Sequence, residues 1–113
     1  MIDNITPAQL GDWQQHKASV GPTTVLDVRE PNELAVASVQ ADGFQLLTIP
    51  MGDIPGRLAD LDRSQPIACL CHHGGRSMRV AQFLAQQGFE HVANISGGID
   101  AWSLQRDASV PRY

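Results

Sequence analysis

The chain has 113 residues, a net charge of -4 and 42% hydrophobic residues, enough for one domain with its own core and no need of a disulfide framework or structural metal. A single lysine, Lys17, and scattered arginines leave no basic stripe to neutralise phosphates, which argues against nucleic acid as the main partner, and the dispersed acidic residues read as a solvated surface. The start Met1-Ile2-Asp3-Asn4 lacks an export signal and no run approaches the about 18 apolar residues of a membrane span, so a cytoplasmic protein without membrane contact is expected.

Thr6-Pro7-Ala8-Gln9 predicts a helix start, with Thr6 as N-cap, Pro7 at the first helical position and Gln9 as capping-box partner; Leu10 and Trp13 give that helix its apolar face. Gly21-Pro22 breaks the chain before Thr24 to Val28, a β-branched run suited to a strand buried on both faces. Pro31 opens a short helix through Leu34 to Ala37, and Asp42-Gly43 turns into a strand from Phe44 to Ile49. Pro50 to Asp53 read as a loop, and Ile54, Leu58 and Leu61 mark one face of a helix whose first turn tolerates Pro55. Pro66 to Cys71 then form a strand, Ser77 to Gln87 a helix stopped by Gly88, and His91 to Ile95 a strand. Ser96-Gly97-Gly98 leads into a last helix with Ile99, Ala101 and Trp102, and the Ser109 to Tyr113 tail reads as a surface terminus. Alternating strands and helices predict a parallel α/β sheet covered on both faces, with ligands binding beyond the carboxyl ends of the strands, where Asp27, Cys71 and Ser96 fall. One domain over 1–113 is expected, its core spanning about 5–104.

The segment Cys71-His72-His73-Gly74-Gly75-Arg76-Ser77 places a cysteine at a strand end, followed by a Gly-bearing loop and a helix start. That order aims backbone N–H groups and a helix N-terminus at one sulfur, and with the Arg76 guanidinium it favours the thiolate, the form in which cysteine reacts. Gly74 and Gly75 let the loop curl until its amides face inward. The competing reading is an incidental buried cysteine before a glycine turn, but such a turn needs no cysteine before it and no arginine after it. His72 and His73 stay open between a structural or surface role and a direct chemical part.

Cys69, Cys71, His72 and His73 are too crowded, and lack the ligand spacing, for a metal centre, so no metal and no cofactor are expected. Cys69 reads most simply as a small core residue; as a resolving thiol it is poorly placed, because strand residues two apart lie roughly 6.5–7 Å apart at Cα, the edge of a disulfide's reach. Both thiols are therefore expected reduced. Arg79 either enlarges the positive rim or is simply solvated. Asp27 and Arg29 share one side of their strand end: either Asp27 orients the active loop and Arg29 holds it or meets an anionic substrate, or the two serve as an N-cap and a surface ion pair with Glu30 or Glu33. Gly97 and Gly98 permit the last turn to approach the cysteine loop closely, and Trp102 packs on the sheet.

Taken together, Asp27-Val28-Arg29-Glu30, the Cys71 to Ser77 loop, Val80 to Leu84 leading to Gly88-Phe89, and Ile95-Ser96-Gly97-Gly98-Ile99-Asp100-Ala101-Trp102 resemble a single-domain rhodanese, a thiosulfate sulfurtransferase-like module. The resemblance runs from Thr6-Pro7 to Trp102 and implies a five-stranded parallel sheet flanked by helices on both faces. It also implies a Cys71 persulfide that carries sulfur from a donor such as thiosulfate to a thiol, cyanide or protein acceptor, with the Cys71 to Arg76 loop wrapped round the outer sulfur. Related phosphatases and arsenate reductases have five residues between cysteine and arginine; here His72 to Gly75 are four, which favours sulfur transfer. Where many members carry Gly-His-Ile-Pro-Gly-Ala, this chain reads Ala35 to Gly43, and His72 stands where a fixed cation would follow the cysteine. The alternative from another class is a sulfur-relay or regulatory module that meets a protein partner with little turnover of its own. A monomer or weak dimer is expected.

Overall fold

The computed structural model describes residues 2–113. Five strands, β1 (Ile2–Ile5), β2 (Thr24–Asp27), β3 (Gln45–Thr48), β4 (Ile67–Leu70) and β5 (Val92–Ile95), form one parallel sheet in the order β1-β5-β4-β2-β3. The strands β2, β4 and β5 are buried along their whole length, as the continuous apolar runs predict for strands covered on both faces.

Alternate side chains feed two apolar layers. On one face Val25, Ala68, Leu70, Ala93 and Ile95 meet Leu10 and Trp13 of α1 (Leu10–His16) and Ile99 and Trp102 of α4 (Gly98–Gln105). Trp102 is 2% exposed in that layer, and its ring and that of Phe44 form a T-shaped pair with centroids 5.9 Å apart. On the other face Leu26, Ile67, Cys69, Cys71 and Val92 pack under Val80, Ala81 and Leu84. Those three belong to α3 (Gly75–Gln86), and each such fully buried Leu or Val is worth roughly 1.5–3 kcal/mol. The remaining helix, Pro31–Val36, here α2, buries none of its residues and lies over the carboxyl end of the sheet through polar contacts.

One strand was not expected, and three expectations need correction. The strand β1 carries no apolar alternation, since Asp3 and Asn4 separate its isoleucines; pairing with β5 makes it a strand. The face marked by Ile54, Leu58 and Leu61 is not an α-helix but a 3-10 segment, Pro55–Asp60, bent at Arg57, where φ is -121°. Pro55 and Gly56 at its start, both poor helix residues, favour the tighter and less regular form. The cysteine loop enters its helix at Gly75, two residues before Ser77, because the residues after Gly74 already have helical geometry. Lastly, the tail is no free surface terminus: Val110 is 4% exposed in the core and Tyr113 packs on the functional loop. The departing segment near Ala35 to Gly43 contributes Ala37 and Val39 to the same core layer as Trp102.

Candidate functional site

At the carboxyl end of β4 the chain leaves the sheet at Cys71 and curls through His72, His73 and Gly74 into α3. Gly74 has φ +104°, and a Cβ there would lie 3.1 Å from the Gly97 amide nitrogen, so the curl requires glycine twice over. Gly75 carries no such demand; a Cβ on it would meet nothing within 4 Å. The Cys71 sulfur receives the Gly74 N–H at 3.1 Å and the Ser77 N–H at 3.3 Å, and the Ser77 hydroxyl oxygen lies 3.3 Å away. Two amides, one of them in the first turn of α3, thus point at one sulfur, which is the arrangement that stabilises negative charge there.

The Ser77 hydroxyl has one proton and two partners. It donates to Asn94 Oδ1 at 2.6 Å, and Asn94 Nδ2 donates onward to Asn4 Oδ1 at 3.2 Å. With the proton on Asn94, the neutral thiol is placed to donate to Ser77 Oγ; rotation of the hydroxyl serves an ionised sulfur instead. Asn94 on β5 and Asn4 on β1 escape a reading of the loop alone, since their relation to Cys71 depends on strand order.

Behind the loop, α4 holds its backbone in place. The Ile99 N–H donates to the Cys71 carbonyl at 2.8 Å and the Asp100 N–H to the His72 carbonyl at 3.2 Å. Gly98, with φ +58°, lies so close that a Cβ would overlap the carbonyl oxygens of both Cys71 and His72. A Cβ on Gly97, with φ +78°, would be 2.6 Å from Ala101 Cβ. The close approach expected of Gly97-Gly98 is therefore a backbone contact between α4 and the cysteine loop.

Arg76 is engaged elsewhere. Its Nη1 and Nη2 donate to Glu33 Oε1 at 2.6 Å and Oε2 at 2.8 Å. Glu33 also accepts from the Glu30 N–H at 3.1 Å and from the Tyr113 hydroxyl at 2.7 Å, so its carboxylate takes four hydrogen bonds. The Arg76 hydrogen bonds, outweighing burial and helped by Tyr113, hold the Glu33 carboxyl down at about 2. The same pairing raises the Arg76 pKa. Glu33 sits at the third position of α2, where Pro31 starts the helix and Glu30 caps it. Sequence reading assigned no role to Glu33 beyond a surface partner for Arg29, and none to Tyr113.

Neither reading of Asp27 and Arg29 describes them fully. They form a buried pair, 1% and 0% exposed, with Arg29 Nε 2.9 Å from Oδ1 and Nη2 2.7 Å from Oδ2 of Asp27. Burial alone lowers the Arg29 pKa, but the hydrogen bonds it donates to Asp27 and Tyr113 leave it raised. Arg29 is thus neither a surface residue nor ion-paired with Glu30 or Glu33; its Nη1 donates to the Tyr113 hydroxyl at 3.0 Å and to the Glu33 main-chain carbonyl at 3.4 Å. The pair meets the site through Tyr113 and the backbone of Glu33.

His72 stacks on Tyr113 with ring centroids 3.8 Å apart and planes 9° from parallel, and on His73 at 3.8 Å and 25°. Its Nε2 is 2.7 Å from the Tyr113 carbonyl oxygen; because that oxygen only accepts, Nε2 carries the proton. His73 is exposed on the outer side of the stack. Arg79 lines a shallow apolar groove with Met51, Ile54 and Phe83 beside the first turns of α3. Cys69 lies wholly in the core, where desolvation, with the neighbouring Cys71, pushes its thiol up to about 12. Both cysteines are free.

A family model described as the rhodanese-like domain matches residues 6–105. The chain belongs to this family. Over 114 residues the rhodanese-like domain is 37% identical to the Arabidopsis thaliana chloroplastic rhodanese-like/PpiC domain-containing protein 12, covering 99% of this chain and 38% of that protein. It is 40% identical over 78 residues to the provisionally named sulfurtransferase YtwF of Bacillus subtilis (strain 168), covering 69% of this chain and 71% of that one. The chain thus spans well under half the length of the Arabidopsis relative. Among solved structures, the rhodanese-like domain protein of Staphylococcus aureus superposes with a TM-score of 0.74 at 26% identity over 99% of both chains. The family match ends at residue 105, so Tyr113, which contacts Arg29, Glu33 and His72, lies beyond the matched segment.

Proposed function

We propose that this rhodanese-like domain is a sulfurtransferase in which Cys71 carries a sulfane sulfur as a persulfide. The observation that carries the reading is the Cys71 sulfur at the floor of the loop, facing the N–H groups of Gly74 and Ser77 and the hydroxyl of Ser77. As a thiolate it attacks the outer sulfur of a donor such as thiosulfate; the donor's S–S bond breaks, sulfite leaves with the bonding pair, and the new S–S bond is the Cys71 persulfide. The amides of Gly75 and Arg76, in the first turn of α3 and without an intrahelical acceptor, are left to meet charge on the outer sulfur. A thiol, cyanide or a protein acceptor then removes that sulfur. Cys71 is 1% exposed, so the donor sulfur must enter the mouth of the loop, and the narrow opening excludes bulk water from the reacting pair.

The name of the Bacillus relative supports the sulfurtransferase reading. So does the spacing of the loop, with four residues between Cys71 and Arg76. Two free cysteines fit a reducing compartment such as the cytoplasm. Among the described residues no helix is long and apolar enough to cross a membrane.

One observation favours a relay as the second reading: the chain matches only 38% of the Arabidopsis protein, so a domain of this kind also occurs joined to other parts. Fast transfer from persulfidated protein to a protein thiol, beside slow exchange between thiosulfate and cyanide, selects the relay. For either reading, intact-mass spectrometry after donor treatment is expected to show one added sulfur, mapped to Cys71. A Cys71→Ser protein that turns donor over at the wild-type rate overturns both.

A further inference from the structure

The rim of the cradle is rich in arginine, yet the arginine of the loop itself and two of its neighbours are already bound to carboxylates. Arg76 gives both terminal nitrogens to Glu33, Arg29 is bound by buried Asp27, and Arg112 is bound to Asp100 at 2.9 Å. Arg79 faces the separate groove beside Met51 and Phe83. Glu33 is the decisive member, because it neutralises the one arginine that belongs to the loop itself. Its carboxylate is fixed from three sides, by the Glu30 amide, by Arg76 and by the Tyr113 hydroxyl, and its side chain is only 15% exposed. An anionic donor that uses the Nη1–Nη2 edge of Arg76 must displace a carboxylate already holding four hydrogen bonds.

Charge counting shows what this does to donor choice. When the Cys71 thiolate meets thiosulfate, three negative charges gather in the cradle: Cys71–S⁻ and S–SO₃²⁻ give Cys71–S–S⁻ and SO₃²⁻. A hydropersulfide, R–S–SH, brings no charge to its reacting end. Cys71–S⁻ and R–S–SH give Cys71–S–SH and R–S⁻; the donor S–S bond breaks, R–S⁻ leaves with the bonding pair, and no outside oxidant or reductant is used. Even when ionised, its reacting sulfur adds one negative charge where thiosulfate adds two. A cradle built of amide dipoles, with its arginine neutralised, discriminates against the more highly charged donor.

We infer that Glu33 is a specificity-determining residue which, by occupying Arg76 with the help of Tyr113, directs the site toward hydropersulfide donors and away from thiosulfate. This rests on the proposal that Cys71 accepts sulfur. The test is the single-turnover rate constant for adding sulfur to Cys71, read by quench and intact mass, with thiosulfate and with cysteine hydropersulfide as the two donors. Wild-type protein is expected to react faster with the hydropersulfide, and Glu33→Gln to shift the ratio of the two constants about ten-fold toward thiosulfate, the size of effect one released charge at the rim produces. Tyr113→Phe, which loosens Glu33 without removing its charge, shifts the ratio the same way by about two-fold.

A folded Glu33→Gln protein with an unchanged ratio overturns the inference. A second measurement needs no variant. Between about 20 and about 500 mM NaCl the wild-type constant with thiosulfate is expected to stay level or rise, because the arginine of the loop is already neutralised by Glu33; a steep fall overturns the inference. Addition of no sulfur from either donor sinks the proposed function as well, whereas sulfur on Cys71 with an unmoved ratio and a steep salt dependence sinks this inference alone.

Discussion

The sulfur cradle is made by seven consecutive residues, Cys71 to Ser77, whereas the clamp on Arg76 joins Glu33 on α2 to Tyr113 beyond α4. In the cradle, the stabilising groups are mostly backbone amides whose direction follows from one left-handed glycine and one helix start. In the clamp, apart from the Glu30 amide, the groups are charged or hydroxyl-bearing side chains whose partners lie far away in sequence. Amide dipoles at a helix start cannot be lost by a surface substitution, so the cradle tolerates change around it. The clamp changes its charge whenever one member is replaced, which makes it the part of the site where specificity is most readily altered.

Breaking the support beneath the clamp has the largest expected effect. Asp27→Asn leaves the fully buried Arg29 guanidinium without its anion and is expected to cost about 3–5 kcal/mol, a fall in melting temperature of roughly 10–20 °C by calorimetry. The corresponding test of the cradle is Gly98→Ala, which drives a Cβ into the carbonyls of Cys71 and His72 at φ +58°. About 2–4 kcal/mol of stability should be lost, together with sulfur transfer, since relief comes only by moving the loop. Thermal melts beside a thiol-alkylation rate check both.

A smaller effect sharpens the electrostatic side of the contrast. The Glu33 carboxyl has its ordinary value of 4.5 lowered to about 2 in the folded chain, so it contributes stability that is fully present above 4.5 and is lost as pH falls through about 2. The difference in melting temperature between wild type and Glu33→Gln is therefore expected to be constant at neutral pH and to close progressively below 4.5. A difference that stays constant to low pH would show that the pair with Arg76 adds nothing to the fold. The smallest effect belongs to Gly75→Ala. With open space at its Cβ and no positive φ, it is expected to be neutral or to stabilise by about 0.5 kcal/mol, visible as a rise of a few degrees, in contrast to Gly98→Ala in the helix behind the cradle.

Much of this was legible in the sequence because it is local. Thr24 to Val28, Pro66 to Cys71 and His91 to Ile95 read as strands, and β2, β4 and β5 lie within them. Pro31 and Gly88 bound their helices where proline and glycine act on neighbouring backbone alone. Cys71, Gly74 and Ser77 lie within two helical turns of one another, so their convergence follows from the loop they share. Even the close approach of Gly97 and Gly98 to the cysteine loop is legible, because a Gly-Gly pair marks backbone that comes near other backbone.

What only the tertiary structure decided is long-range and polar. Ile2–Ile5 is a strand through its pairing with β5, a partner some ninety residues away, while its own alternation is spoiled by Asp3 and Asn4. The order β1-β5-β4-β2-β3 then brings Asn4 to Asn94 and Asn94 to Ser77, a chain of contacts absent from any local pattern. Glu33 finds Arg76, and Tyr113 finds Glu33, Arg29 and His72, only after α2 and the tail fold over the carboxyl end of the sheet. Apolar periodicity and backbone geometry act over a few residues and leave a mark in the chain. The partner of a charged or hydroxyl-bearing side chain is set by the fold that brings the two together, and carries no such mark.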